Sequence, residues 1–84
     1  MDYATETIAR LCWVVEQRHR LFTLREVAAH YGFSLRTWHE WRAGRMCPSA
    51  RSARQIAARC GLRLDRVWAA RERTRAYLAG RDVS

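Results

Sequence analysis

Helix-starting and helix-stopping residues recur along the chain at spacings that leave room for short helices and no sheet. Thr23-Leu24-Arg25-Glu26 is a T-x-x-E capping box: the threonine hydroxyl and the glutamate carboxylate each satisfy a backbone N–H of the first helical turn, so a helix is predicted over 24–31. Gly32, free to adopt a left-handed conformation, stops it. Ser34 then caps a helix over 35–42, closed by Ala43 and Gly44. Pro48 disfavours helix at Cys47, and Ser49 is the next cap, for a helix over 50–60 that Gly61 ends. A fifth helix is expected over 64–79, with Asp65 in its first turn and Gly80 after it. Upstream, Ile8, Leu11, Cys12 and Val15 fall at i, i+3, i+4 and i+7, which predicts a helix from about 3 to 20 with Asp2 as N-cap. No segment alternates with period two. The expectation is an all-α, compact five-helix domain over residues 1–84.

The same periodicities nominate the core. The first helix contributes its apolar stripe and the second Val27, Ala28 and Tyr31. Trp38 and Trp41, at i and i+3, form the inner side of the third helix. Ala53, Ile56, Ala57 and Cys60 belong to the fourth, and Leu64, Val67 and Trp68 to the fifth. Trp13 and Val14 lie off the first stripe, available to the last helix or to a partner. Arg71, Arg73, Arg75, Tyr77 and Leu78 are together too polar for burial, so the last two turns are expected to project.

Composition narrows the partners. The 84 residues suffice for one domain, and with 49% apolar residues and four Trp the chain reads as a packed globule. Sixteen basic side chains against eight acidic ones leave a net charge of +8, enough to hold a positive potential over one face and to favour a polyanion. All sixteen are arginine, whose planar fork suits phosphate and guanine, although a GC-rich coding bias explains the missing lysine equally well. Cys12, Cys47 and Cys60 form an odd set without a C-x-x-C pair, which argues against a disulfide framework or a zinc ribbon and for reduced thiols. The absence of a basic, apolar leader or a long apolar run points to the cytoplasm and away from a membrane.

Two short helices joined by a tight glycine-containing turn let the second face a major groove while the first braces it. The series Val27-Ala28, Gly32, Ser34, Trp38, Gly44, Pro48, Ile56-Ala57 and Gly61, in register from Thr23 to Trp68, resembles the phage repressor and Cro family of helix-turn-helix domains, the xenobiotic-response-element type. The resemblance implies a lambda-repressor-like fold and a transcriptional regulator, usually a repressor, that binds palindromic double-stranded DNA as a homodimer. It places Leu35, Arg36, Thr37 and Glu40 at base edges. Arg36 can take guanine O6 and N7, and Leu35 a thymine methyl; Glu40 can accept from cytosine N4 or orient Arg36, and Thr37 can do either or reach a phosphate. Phosphate contacts are expected from Thr23, Arg25, Arg42 and Arg45, with His39 either joining them or solvated. Two positions depart from the family's pattern. Arg42 stands where an acidic residue often fixes a basic partner, so that internal salt bridge is expected to be missing. Leu24 stands where a polar, backbone-contacting residue is common.

Other classes fit less well. Ser34, Glu26 and Glu40 have capping or surface duties, and no Gly-rich phosphate loop is present, so neither an enzyme nor a cofactor is indicated. His30, His39 and Cys47 match no zinc spacing. Stacking on single strands would need Trp38 and Trp41 outside the core. The rival reading is a protein-interaction module, an antitoxin or phage adaptor that uses the same fold to hold a protein partner.

Overall fold

The computed structural model describes residues 5–81, which hold five helices and no strand: α1 (Ile8–Gln17), α2 (Leu24–His30), α3 (Leu35–Arg42), α4 (Ala50–Cys60) and α5 (Leu64–Arg81). The cap side chains accept backbone N–H groups where the sequence places them. Thr23 and Glu26 form the reciprocal box at α2, Ser34 accepts from Thr37, and Ser49 accepts from Ser52.

The first helix is shorter than the 3–20 expected. Its N-cap is Thr7, with extended backbone (φ −111°, ψ 171°), and Asp2 lies outside the described residues. A long-range contact marks this start: the Ile8 N–H donates to Thr74 Oγ1 of α5 at 3.1 Å. The far end closes in tight turns, Arg18 N–H to the Val15 carbonyl and His19 N–H to the Glu16 carbonyl, so 18–20 are not helical.

Between α2 and α3 the chain reverses at Gly32, whose φ of +77° is costly for any residue with a Cβ. The Phe33 N–H returns to the Ala28 carbonyl at 2.8 Å, and Phe33 then packs on both Trp38 and Trp41. From α4, Arg59 donates to the Gly32 carbonyl at 2.9 Å and lies over the Phe33 ring. The turn is therefore held from both sides.

α1 packs on α3 and α5, α2 on α3, and α4 on α5. Ile8, Leu11, Cys12, Val15, Val27, Ala28, Trp38, Trp41, Ala53, Ile56, Ala57, Cys60 and Val67 are buried as their spacing predicts, joined by Leu62 and Ala70. Leu64 and Trp68 correct the expectation. They stay 49% and 37% exposed, because only one stripe of α5 faces the other helices and Val67 and Ala70 occupy it. Trp68 is instead covered by the Arg71 guanidinium, 4.8 Å from its ring, as Arg10 covers the exposed Trp13 at 4.1 Å.

The distal half of α5 is also better anchored than its polarity suggested. Thr74 is buried, Arg71 donates to the Pro48 carbonyl, and Arg73 donates to the Glu6 carbonyl, whose carboxylate in turn takes a two-bond grip from Arg66 at 2.8 Å. Beyond Thr74 the side chains are mostly exposed. Gly80 does not adopt a positive φ, so the helix runs on to Arg81.

Candidate nucleic-acid interface

α3 has an inner and an outer side. Inside, Trp38 and Trp41 are almost wholly buried, at 1% and 2% exposure. Beneath them lies Glu16 of α1, an acidic side chain the sequence reading passed over. Its Oε2 accepts from Trp38 Nε1 at 2.9 Å and from Arg42 Nε at 2.9 Å, and its Oε1 from Arg42 Nη2 at 3.1 Å. The bridge that an acid at position 42 would make is absent, and Arg42 takes part in another internal salt bridge, in which α1 supplies the acid and α3 the base. Arg42, expected at a phosphate, directs two donors inward, and the hydrogen bonds it donates to Glu16 raise its pKa further. The signal for Glu16 was available in its spacing, since it sits one turn after Cys12 and next to Val15 in the buried stripe. Trp41 Nε1 has no hydrogen-bond partner among the described residues.

Outside, Arg36 projects from the first turn of α3, opposite the two indoles at 3.6 residues per turn. It is exposed and makes no ion pair or hydrogen bond among the described residues. Leu35 and Thr37 are half-buried on the same turn, and His39 is exposed. The Thr37 hydroxyl accepts from Ser34 Oγ at 2.8 Å, part of the capping arrangement. Glu40 does not orient Arg36. Its carboxylate takes three N–H contacts from Arg45, Nε at 3.3 and 3.2 Å and Nη2 at 3.0 Å. These hydrogen bonds lower the Glu40 pKa and raise that of Arg45.

The remaining arginines divide by what they touch. Arg18, Arg59, Arg71 and Arg73 donate to backbone carbonyls, while Arg63, Arg66 and Arg75 pair with carboxylates, as Arg71 also does. Arg20, Arg25, Arg36, Arg51 and Arg54 are exposed with no such partner among the described residues. Three of these occupy one local position: Thr23-Leu24-Arg25, Ser34-Leu35-Arg36 and Ser49-Ala50-Arg51 each put an arginine two residues after a hydroxyl N-cap. A cation there opposes the helix macrodipole, so the placement is unfavourable unless an anion approaches. Arg51 was missed in the sequence reading, although the repeated cap-x-Arg pattern could have found it.

The thiols offer no activated nucleophile. Burial pushes the Cys60 pKa up to about 11 and raises Cys12 in the same direction, and burial also raises Cys47. Among the described residues no three His, Cys, Asp or Glu side chains are grouped to hold a metal ion. None of the described helices is long and apolar enough to cross a membrane. In comparisons with known proteins, no family model, curated protein or solved structure matches this chain.

Proposed function

We propose that this chain is a sequence-specific double-stranded DNA-binding regulator, acting as a repressor, in which α2 and α3 form a helix-turn-helix and α3 enters the major groove. The observation that carries the reading is Arg36. It makes no hydrogen bond or ion pair among the described residues and lies on the exposed side of a short helix whose opposite side is fixed to the core by two indoles and a buried carboxylate. A rigidly seated helix with a free Arg can present the fork to guanine O6 and N7 in a defined register. Leu35 and Thr37 flank it. Arg25 and Arg51, with the α2 N-terminus at Thr23, are the phosphate contacts that set orientation, and His39 lies at the edge. Binding as a homodimer would place two α3 helices in successive major grooves, roughly 34 Å apart. The regulator acts in the cytoplasm in this reading.

Titration of duplex DNA carrying the upstream region of the chain's own gene, at several salt concentrations, tests it. Sequence preference together with a steep fall of log K with log salt is the expected result, each neutralised phosphate adding about 0.9 to the slope. Arg36→Ala should erase preference at one base pair of each half-site, on the order of 1 to 3 kcal/mol of discrimination. If it alters neither affinity nor preference, α3 does not read DNA.

A protein-interaction module, such as an antitoxin or adaptor, is the second reading. Trp13, Leu64, Trp68 and Tyr77 favour it, since all four are large and exposed. A stable complex with a protein partner that survives Arg36→Ala, without duplex preference, would establish it.

A further inference from the structure

We infer that Glu40 is a positioning residue that clasps Arg45, so that the loop after α3 withholds a sequence-independent phosphate contact and lowers affinity for any duplex. The inference rests on the duplex-reading function proposed above.

The clasp is built by the backbone before the side chains take part. Gly44, at φ +74°, ends α3 in a Schellman turn: the Arg45 N–H returns to the Glu40 carbonyl at 3.1 Å, and the Gly44 N–H to the Trp41 carbonyl at 3.1 Å. Residue 45 is thereby carried back over the turn that holds residue 40. The guanidinium then reaches both carboxylate oxygens with its Nε and one of them with Nη2. Each of these contacts joins residues within 40–45.

The pair lies where a duplex would meet α3. Glu40 is one helical turn beyond Arg36, and the side chains of Arg45 and Glu40 are 58% and 33% exposed. An arginine there without Glu40 would be, among the described residues, an exposed guanidinium with no hydrogen bond or ion pair, like Arg20, Arg25, Arg36, Arg51 and Arg54. It would hold any phosphate within reach whatever the base sequence. Clasped, its Nε–H and Nη2–H donors are taken by the carboxylate and are not offered to a phosphate. With those donors engaged the loop adds little to a hold that is the same on every duplex, so preferred and random sites are weakened together.

Glu40→Asp provides the test, because it keeps the charge but withdraws the carboxylate by one methylene and breaks the two-oxygen grip. Without DNA, the Arg45 Nε–H should give a protected proton–nitrogen resonance in the wild type and lose it in Glu40→Asp. With a random-sequence duplex, that variant should steepen the salt slope by about 0.9, equivalent to about eightfold tighter binding at 0.1 M relative to 1 M salt, and adding Arg45→Gln should abolish the gain. An unprotected Nε–H in the wild type would overturn the clasp. So would a lost resonance with unchanged random-duplex affinity. A wild type that shows the protected resonance yet binds no duplex would overturn the DNA-reading function, and this role for Glu40 with it.

Discussion

Helix α3 carries two arginine–glutamate pairs of similar hydrogen-bond geometry and opposite setting. Arg42 grips Glu16 on the inner side, where the carboxylate side chain is 10% exposed and also accepts from Trp38. Arg45 grips Glu40 on the outer side, exposed, without contact to another helix. The inner pair lies at a packed boundary between helices and shares its acceptor with an indole. The outer one is built by a single turn and bathed in solvent. Similar chemistry thus serves different ends, because the cost of breaking a pair depends on what is left stranded. Inside, a lone charge would remain next to apolar side chains; outside, water replaces the partner.

The largest test of that contrast is Glu16→Ala. It strands the Arg42 guanidinium and the Trp38 Nε1 together, and unfolding by denaturant should show a loss of about 3 kcal/mol, at the low end for a buried pair because Arg42 keeps 36% of its side chain in solvent. Replacing both partners, Glu16→Leu with Arg42→Leu, should recover most of that loss. A double variant as unstable as the single one would mean that the charges themselves are needed.

Next in size are the two indoles. Trp38→Phe keeps an aromatic ring against Phe33 but removes a hydrogen bond to a carboxylate, at a cost of about 2 kcal/mol. Trp41→Phe removes an N–H that has no partner among the described residues and should cost less. If thermal melts rank them the other way, the Glu16 network is not what seats α3. Ser34→Ala, which deletes the cap on the same helix, should cost about 1 kcal/mol, and Ser34→Asp should restore it.

What could be read from the sequence was whatever the chain encodes locally. The caps at Thr23, Ser34 and Ser49, the reversal at Gly32 and the buried side of α3 depend on residues within a turn or two of each other, and the structure has them where the spacing puts them. The start of α1 was misplaced; there the Ile8 N–H meets Thr74, 66 residues away. The spacing of Glu16 in the α1 stripe marks it as buried but does not reveal its partners, since Trp38 and Arg42 lie 22 and 26 residues on. Leu64 and Trp68 look like core in α5 by periodicity alone, and only the arrangement of the neighbouring helices leaves them outside. In the candidate site, the exposure of Arg36 followed from the two buried indoles. The closure of Arg45 onto Glu40 was legible in principle, since Gly44 and both side chains fall within six residues, but it was read as two separate contacts.

The smallest effect expected is in acid, and it is carried by two exposed carboxylates. Glu26 and Glu40 are exposed carboxylates whose pKa values are lowered from the ordinary 4.5, Glu26 chiefly by the Thr23 backbone N–H and Glu40 chiefly by the Arg45 side chain. A carboxylate with a lower pKa in the folded state binds fewer protons there than in the unfolded chain, so its contribution is complete above about 4.5 and is lost as pH falls through the lowered value. Melting temperature should therefore decline slightly between pH 5 and pH 3, and Glu26→Gln with Glu40→Gln should flatten that decline while leaving the inner pair intact. Both carboxylates are solvated, so the decline should also shrink in high salt. A salt-insensitive decline that survives both substitutions would place the acid-sensitive groups elsewhere and remove the titration evidence for treating the outer side as the exposed counterpart of the inner one.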